Sequence, residues 1–390
     1  MHSTTKWSRR TFLSTSGFVS ASALIPPWCR ANPTNSREIA AQSYLACTLS
    51  HDAEDASHPT LHAYVVENGN CRKLASMQSD NAIGAVAIHP RHRFVYVAHD
   101  TASYLNLPGA SVSSFALDEF SGEFVQISRE PLSLSATRPR HLAISPDGRI
   151  LFVSATGGGA YNALLIAPDG RILPHPRVLK LARCGPHPLQ SSASPFFASF
   201  TRSGRVAYAC DFGGDCVDRL RFAENIPSIE STLRLAPGTG PVHLAIHPSQ
   251  RLLTVVGSLR PTLTLVETDA RTEALSRITQ QITLPVAALE AASFSPSGHE
   301  LSVAGRTKAR ERMLFTFEVN AASLTVKQTG AEYNSHGTNP HDGPTPYGSA
   351  FPQTRRYSLV ATNVPAPYSP MVTSPENVLP AHFPTKTYGK

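Results

Sequence analysis

The sequence predicts an all-β protein, a seven-bladed β-propeller built of four-stranded antiparallel blades. Three observations carry this expectation. A block recurs along the chain: an apolar residue, any residue, a proline, two turn residues, a basic residue, then an apolar run. Its copies read IHPRHRFVYVAHD from Ile88, ISPDGRILFVSAT from Ile144, FTRSGRVAYACDF from Phe200, IHPSQRLLTVVGS from Ile246, FSPSGHELSVAGR from Phe294 and FPQTRRYSLVATN from Phe351. The turn position falls at Pro90, Pro146, Arg202, Pro248, Pro296 and Pro352, so the unit repeats every 46 to 56 residues, a length that suits one propeller blade. A truncated copy, YLACT from Tyr44, raises the count to seven. Finally, 32 prolines and 24 glycines in 390 residues favour many turns over long helices.

Within each block the residues before the turn form one strand and those after it a second, rich in β-branched and aromatic residues. These strands are nearly continuously apolar, which predicts burial on both faces. More polar stretches between the blocks, such as SVSSFALD and DCVDRLRF, supply the outer strands. A single four-stranded sheet cannot bury both faces alone. Seven stacked about an axis can, and only short edges stay exposed. Residues 40–363 are assigned to this propeller. After Asn363 the prolines of VPAPYSPMVTSPENVLPAHFP cannot donate to a ladder, so 364–390 reads as an irregular tail. The strand before Ser50 is then the segment available to close the ring.

The first 31 residues read separately. Arg9 and Arg10 are followed by Phe12, Leu13 and a weakly apolar run from Gly17 to Ile25, the pattern of a twin-arginine export signal cut near Ala31. The run is too short to span a bilayer. The expected location is periplasmic or secreted, with export in the folded state. The remaining chain holds five cysteines, an odd number that argues against a full disulfide framework. Cys210 and Cys216 flank DFGGD, a hairpin turn, and leave open either a cross-strand bridge or buried free thiols. There is no C-x-x-C pair, no P-loop and no dinucleotide-binding glycine pattern. No metal or cofactor is expected. The net charge of +7 comes from scattered basic residues, which suits solubility rather than nucleic-acid binding. Oligomeric state is not legible.

One face of a propeller collects the starts of the innermost strands and the ends of the second strands. With the turn proline as origin, six residues earlier stand Gly84, Arg140, Phe196, Val242, Glu290 and Pro346. Ten residues later stand Asp100, Thr156, Phe212, Ser258, Arg306 and Thr362. His141 and His243 follow the earlier positions by one residue, so the two-residue period turns them away from this face, toward hydrogen bonds between blades. His336, His341 and Asp342 fall in SHGTNPHDGPTPYGSAF, read as a solvated loop.

The segments RPRHLAISPDGRILFVSATGGG, SPFFASFTRSGRVAYACDFGGDCVDRLRF and GPVHLAIHPSQRLLTVVGS resemble the propeller lactonase family, which includes 6-phosphogluconolactonases of the propeller type and a fungal carboxy-muconate cyclising enzyme. The resemblance spans about residues 40 to 363 and holds in block order. It implies a seven-bladed propeller acting on a lactone. Where the family has P-H-P-H-S this chain has ASPFF, with Phe196 for the second histidine; where it has G-P-R-H this chain has GPVH, with Val242 for arginine. Ser258 stands in place of glutamate, and Arg306 is retained.

Lactone opening needs a base to activate water and a cation or donors to hold the oxyanion. Glu290 or Asp100 offers the base, and Arg140 or Arg306 a planar cationic fork. A structural ion pair between Glu290 and Arg306 is the competing reading of those two. Phe196, Val242, Ser258 and Thr156 are the expected substrate-contacting positions. The resemblance implies a hydrolase opening a sugar-derived lactone, like a 6-phosphogluconolactonase. The alternative is a propeller that has lost catalysis and binds a small ligand or a protein.

Overall fold

A run such as RILFVSAT is continuously apolar from Ile150 to Val153, short and bounded by turn residues, so it extends as a strand buried on both faces. The computed structural model describes residues 43–52, 59–67, 70–118, 121–295, 297–309, 311–333 and 355–362. Strands are numbered along the chain. β1 (Ser43–Asp52), β2 (Thr60–Glu67) and β3 (Asn70–Gln78) open it. β4 (Ile83–Ile88) and β5 (Phe94–His99) lead into a small hairpin, β6 (Ser103–Tyr104) with β7 (Leu107–Pro108), and then into β8 (Ser111–Asp118) and β9 (Glu123–Pro131). The next blade runs β10 (Thr137–Ile144), β11 (Ile150–Gly157), β12 (Ala160–Leu165) and β13 (Arg177–Lys180). After it come β14 (Pro195–Phe200), β15 (Val206–Asp211), β16 (Cys216–Ala223) and β17 (Ile226–Arg234). β18 (Pro241–Ile246), β19 (Leu252–Gly257), β20 (Thr262–Thr268) and β21 (Leu275–Thr283) form another blade. β22 (Ala288–Phe294), β23 (Glu300–Arg306), β24 (Arg312–Asn320), β25 (Thr325–Tyr333) and β26 (Arg355–Thr362) complete the count.

The described residues form six four-stranded antiparallel sheets, ordered β4-β5-β8-β9, β10-β11-β12-β13, β14-β15-β16-β17, β18-β19-β20-β21, β22-β23-β24-β25 and β26-β1-β2-β3. The last sheet joins the two ends of the chain: Leu49 of β1 pairs with Ser358 and Ser50 with Tyr357. The N-terminal strand thus has the closing role its position suggested. β26, from the block at Phe351, borders β1 and lies against β4. The segment 334–354, which the repeat assigns to the last blade, lies outside the described residues, as do Pro346, His336, His341, Asp342, the leader and the tail 364–390.

Burial follows the strand order within a blade. Every residue of β15 and β19 is buried, whereas the outermost β17 is largely exposed and β21 has no buried residue. The apolar side chains meet between neighbouring sheets. Phe152, Tyr161 and Leu220 fill one such interface, Tyr208, Leu244 and Leu253 the next, and Leu265, Phe315 and Phe317 the one after. Each blade is therefore stabilised mainly by its neighbours, as stacking of repeats requires. The innermost strands β4, β10, β14, β18 and β22 stand side by side in that order.

A second stitch sits at the turn end of the blades. His89 and His247, each just before its turn proline, lie with Nε2 at 3.2 Å from Gly148 O and 2.9 Å from Gly298 O of the following blade. Those glycines have φ of +79° and +75°. A Cβ there would stand 2.2 Å from His89 Nε2 and 2.4 Å from His247 Nε2, so both the backbone twist and the close approach require glycine.

The open question about Cys210 and Cys216 is resolved by register. Cys210 pairs with Val217 and Cys216 with Asp211, so the two cysteines project from opposite faces of the sheet. Both are free and buried, and no bridge forms.

Candidate functional site

Five of the innermost strands carry the same irregularity at their starts. The pairing to the second strand slips between Ile83 and Ala85, Pro139 and His141, Pro195 and Phe197, Pro241 and His243, and Leu289 and Ala291. The residues left without a register partner are Gly84, Arg140, Phe196, Val242 and Glu290, the positions indexed from the repeat. A bulge bends the strand and re-aims one side chain, so one local device is repeated around this face.

The residues after the bulge do not face the mouth. His141, Phe197 and His243 stack across three adjacent inner strands, with ring centroids 3.7 Å and 4.1 Å apart. The N–H groups of Ala198 and Ala292, one blade further on, each donate to the Nδ1 of His141 and His243 at 3.4 Å. This is the interblade role the two-residue period indicated. Burial pushes both imidazoles down to about 3, the His243 charge adding to the effect at His141.

The indexed side chains divide into two kinds. On the β14–β18 side the mouth is filled with apolar groups. Phe196 is half-buried with its ring 6.0 Å from that of Phe212, and Phe212 and Val242 are buried in one cluster against which Leu189, Leu259 and Val286 pack. Ser258 is buried, with its N–H donating to Gly240 O at 2.9 Å. On β22 and β23, Glu290 and Arg306 come together: Glu290 Oε1 accepts from Arg306 Nη2, and the side chains are 3% and 15% exposed. The ion pair named as a competing reading therefore exists. Yet Arg306 Nε is buried and has no hydrogen-bond partner among the described residues, which leaves a fixed cationic N–H beside a carboxylate.

Arg140, Asp100 and Thr156 belong to the β4–β10 side and are half-buried. Two inner strands, β14 and β18, stand between Arg140 and Glu290, so the four proposed catalytic residues do not form one cluster. Asp100 N–H donates to Ala82 O at 2.7 Å, and Thr156 Oγ1 to Arg138 O at 3.1 Å. Gly84 supplies no side chain for a reason: a Cβ there would stand 2.2 Å from Pro139 O of the next blade. Gly84→Ala is expected to lower stability by about 1–3 kcal/mol, read as a lower denaturation midpoint. Thr362 lies on β26 and Thr156 on β11, Phe196 and Val242 lie at the bulges of β14 and β18, and Ser258 directly follows β19.

A polar network beneath the mouth escaped the reading of the sequence, which saw only a turn in DFGGD. Asp215 Oδ1 accepts from Gln190 Nε2 at 2.7 Å and Gly240 N at 2.8 Å, and its Oδ2 from Gly238 N at 2.6 Å. Gln190 Nε2 also donates to Phe212 O at 2.7 Å. One carboxylate thus ties the loop before β14 to the entry of β18 and fixes where Phe212 and Val242 stand. Nearby, Arg183 Nη2 lies 2.9 Å from Asp218 Oδ2, and Thr232 Oγ1 donates to Asp218 Oδ1 at 2.6 Å. The partners are 22 and 25 residues from Gln190 along the chain, so no local pattern announces them. Asp215→Ala is expected to cost about 3 kcal/mol, because buried N–H groups lose a charged acceptor, checked by urea unfolding with Gln190→Ala as a smaller step in the same direction.

Among the described residues no group of three or more His, Cys, Asp or Glu could hold a metal ion, and no helix is long and apolar enough to cross a membrane. Repeated four-stranded antiparallel blades with bulged inner strands define a β-propeller. The chain belongs to the seven-bladed β-propeller lactonase family, whose model matches residues 53–342. It is similar to a 6-phosphogluconolactonase of Pectobacterium atrosepticum, 23% identical over 268 residues that cover 67% of this chain and 74% of the relative. A 6-phosphogluconolactonase of Bacillus subtilis is 22% identical over 148 residues, 38% of this chain and 42% of that protein. The solved structure of a periplasmic gluconolactonase from Pseudomonas aeruginosa shares the fold with a TM-score of 0.65 at 23% identity, over 78% of this chain and 86% of that one.

Proposed function

We propose that the protein is a lactone hydrolase that works outside the cytoplasm on an unphosphorylated lactone. One observation carries the reading: the buried Nε–H of Arg306, without a hydrogen-bond partner among the described residues, beside the Glu290 carboxylate at the bulged rim. A buried N–H without an acceptor is costly. A lactone carbonyl oxygen offers it one, and the bond strengthens as that oxygen gains charge in the tetrahedral state. Glu290 takes the proton from the attacking water. As the tetrahedral state collapses the ring C–O bond breaks, the ring oxygen takes the proton back, and a hydroxy acid leaves. The names of the relatives direct the first test to sugar-derived lactones. A phosphorylated one is cytoplasmic, which the twin-arginine leader argues against. The purified protein should release acid from glucono-δ-lactone faster than buffer in a pH-stat, and no acceleration with any lactone would remove the reading.

A second reading, a propeller that binds without turnover, draws on the apolar groups at Phe196 and Val242 and on the Glu290–Arg306 pairing itself. It predicts a ligand-induced rise in melting temperature with no hydrolysis of the same ligand.

A further inference from the structure

We propose that the end of the molecule opposite the bulged rim docks on an anionic membrane surface, through a connected arc of arginines on the turns that follow the innermost strands. The proposal is independent of the lactone reading. The strands β4, β10, β14, β18 and β22 are six to eight residues long, so these turns stand roughly 20 Å from the bulged starts.

The arc begins in the repeat. Three residues after each turn position stand Arg93, Arg149, Arg205, Arg251, His299 and Arg355. Along the chain these basic residues are scattered at the spacing of the block; the fold gathers them, because neighbouring turns touch. His89 Nε2 lies 3.2 Å from Gly148 O, and a Cβ on Gly204 would stand 3.2 Å from Pro146 Cδ. Arg202 N–H donates to Gln250 Oε1 at 3.1 Å and its Nη2 to Pro248 O at 2.9 Å. His247 Nε2 lies 2.9 Å from Gly298 O. The turns 89–93, 145–149, 201–205, 247–251 and 295–299 are thus joined one to the next. Arg91 and Arg202 bring their arginines to six, against one acid, Asp147. All six arginines are exposed.

The described residues offset little of this charge. Arg91, Arg149, Arg205 and Arg251 form no ion pair among them. Asp147 is engaged by its own turn, where Oδ1 accepts from Ser145 Oγ at 2.5 Å and from Arg149 N–H at 3.1 Å. Two acids of outer turns that reach the arc are engaged as well. Asp169, next to the Gly170 that lies against Phe94, pairs with Arg171 at 3.3 Å, and Glu273 Oε2 accepts from Ser203 Oγ at 3.0 Å. Gathered like charges repel one another, and an external anionic layer relieves that repulsion. A connected end of the molecule, rather than a pocket, addresses a surface. Each arginine near a layer of anionic headgroups is worth roughly fivefold in affinity. Single-stranded nucleic acid would call for aromatic platforms between the charges, and the five turns hold no Phe, Tyr or Trp. The leader read at Arg9 and Arg10 would carry the folded chain to a membrane.

The test sediments the full chain with vesicles of phosphatidylglycerol and phosphatidylcholine. Two variants keep the leader and lose three positive charges each. One is Arg149→Ser/Arg205→Ser/Arg251→Ser, in the arc. The other is Arg177→Ser/Lys180→Ser/Arg234→Ser, at exposed positions of the outer strands β13 and β17. Melting curves check both folds. The unaltered chain should bind the mixed vesicles but not pure phosphatidylcholine, and should be released as salt rises from about 0.05 to about 0.5 M. The arc variant should bind on the order of a hundredfold more weakly, and the outer-strand variant within roughly threefold of the unaltered chain. Equal weakening in both variants would overturn the proposal, leaving an effect of net charge alone. Binding that ignores lipid charge, or that survives in the arc variant, would overturn it in favour of the apolar run of the leader. Arc-dependent binding of heparin without binding to vesicles would overturn it in favour of a soluble polyanion.

Discussion

Arg306→Ala should lower kcat/KM for lactone opening by roughly 10²–10³-fold, the usual cost of removing one oxyanion donor. Glu290→Gln should lower it by a comparable factor, since the amide cannot accept the water proton. The variants separate catalysis from folding because the two side chains depend on one another. Arg306→Ala leaves the 3%-exposed carboxylate of Glu290 without its cation, a loss of about 3–5 kcal/mol for a broken buried pair. Replacing both by methionine should recover much of that stability, since apolar residues often substitute well for buried ion pairs, while activity stays absent. A double variant that regains lactone turnover together with stability would show that the pair is a structural bridge only.

Acid should destabilise the fold steeply between pH 6.5 and about 3. His99, His141 and His243 are buried, and burial pushes each imidazole down to about 3, with the Arg129 charge contributing at His99. The unfolded chain takes up protons near pH 6.5, whereas the folded one does so only near 3. Stability is therefore complete above 6.5 and is lost as pH falls through that window, by about 1.4 kcal/mol per pH unit per histidine. From pH 7 to pH 5 the three together should cost about 6 kcal/mol, seen as a large fall in the urea midpoint. Asp211 acts with the opposite sign over its own range, because burial raises its carboxyl and the folded state holds that proton more tightly. His141→Asn and His243→Asn should each remove about 2 kcal/mol of the loss. A pH-independent midpoint above pH 5 would contradict the buried neutral state of these rings.

Much of the architecture was legible because it repeats. A turn repeated every 46 to 56 residues marks the blades, and the even burial of β15 and β19 follows from their nearly continuous apolar runs. The indexed positions were legible for the same reason, since one spacing leads to every bulged rim residue. The direction of His141 and His243 also followed from strand periodicity. Some signals were present but unread. A histidine before the turn proline goes with a glycine two residues after the next one in the His89–Gly148 and His247–Gly298 pairs, a link between successive blocks visible only by aligning neighbours.

Other features have no local signature. The sequence set out a ladder of similar sheets and a rim of matched positions, because hydrophobic period and turn chemistry act over a few residues and are copied in each block. It could not say that Asp215 would collect Gln190, Gly238 and Gly240, that Cys210 and Cys216 would face apart, or that β26 would border β1. It offered the Glu290–Arg306 pair only as one of two readings, and could not say that Arg140 would stand two inner strands away. Those outcomes depend on how far each blade rotates relative to the next and on which buried charge lies nearest. Only closure of the stacked sheets decides them, because a buried polar group takes the partner that packing brings within reach.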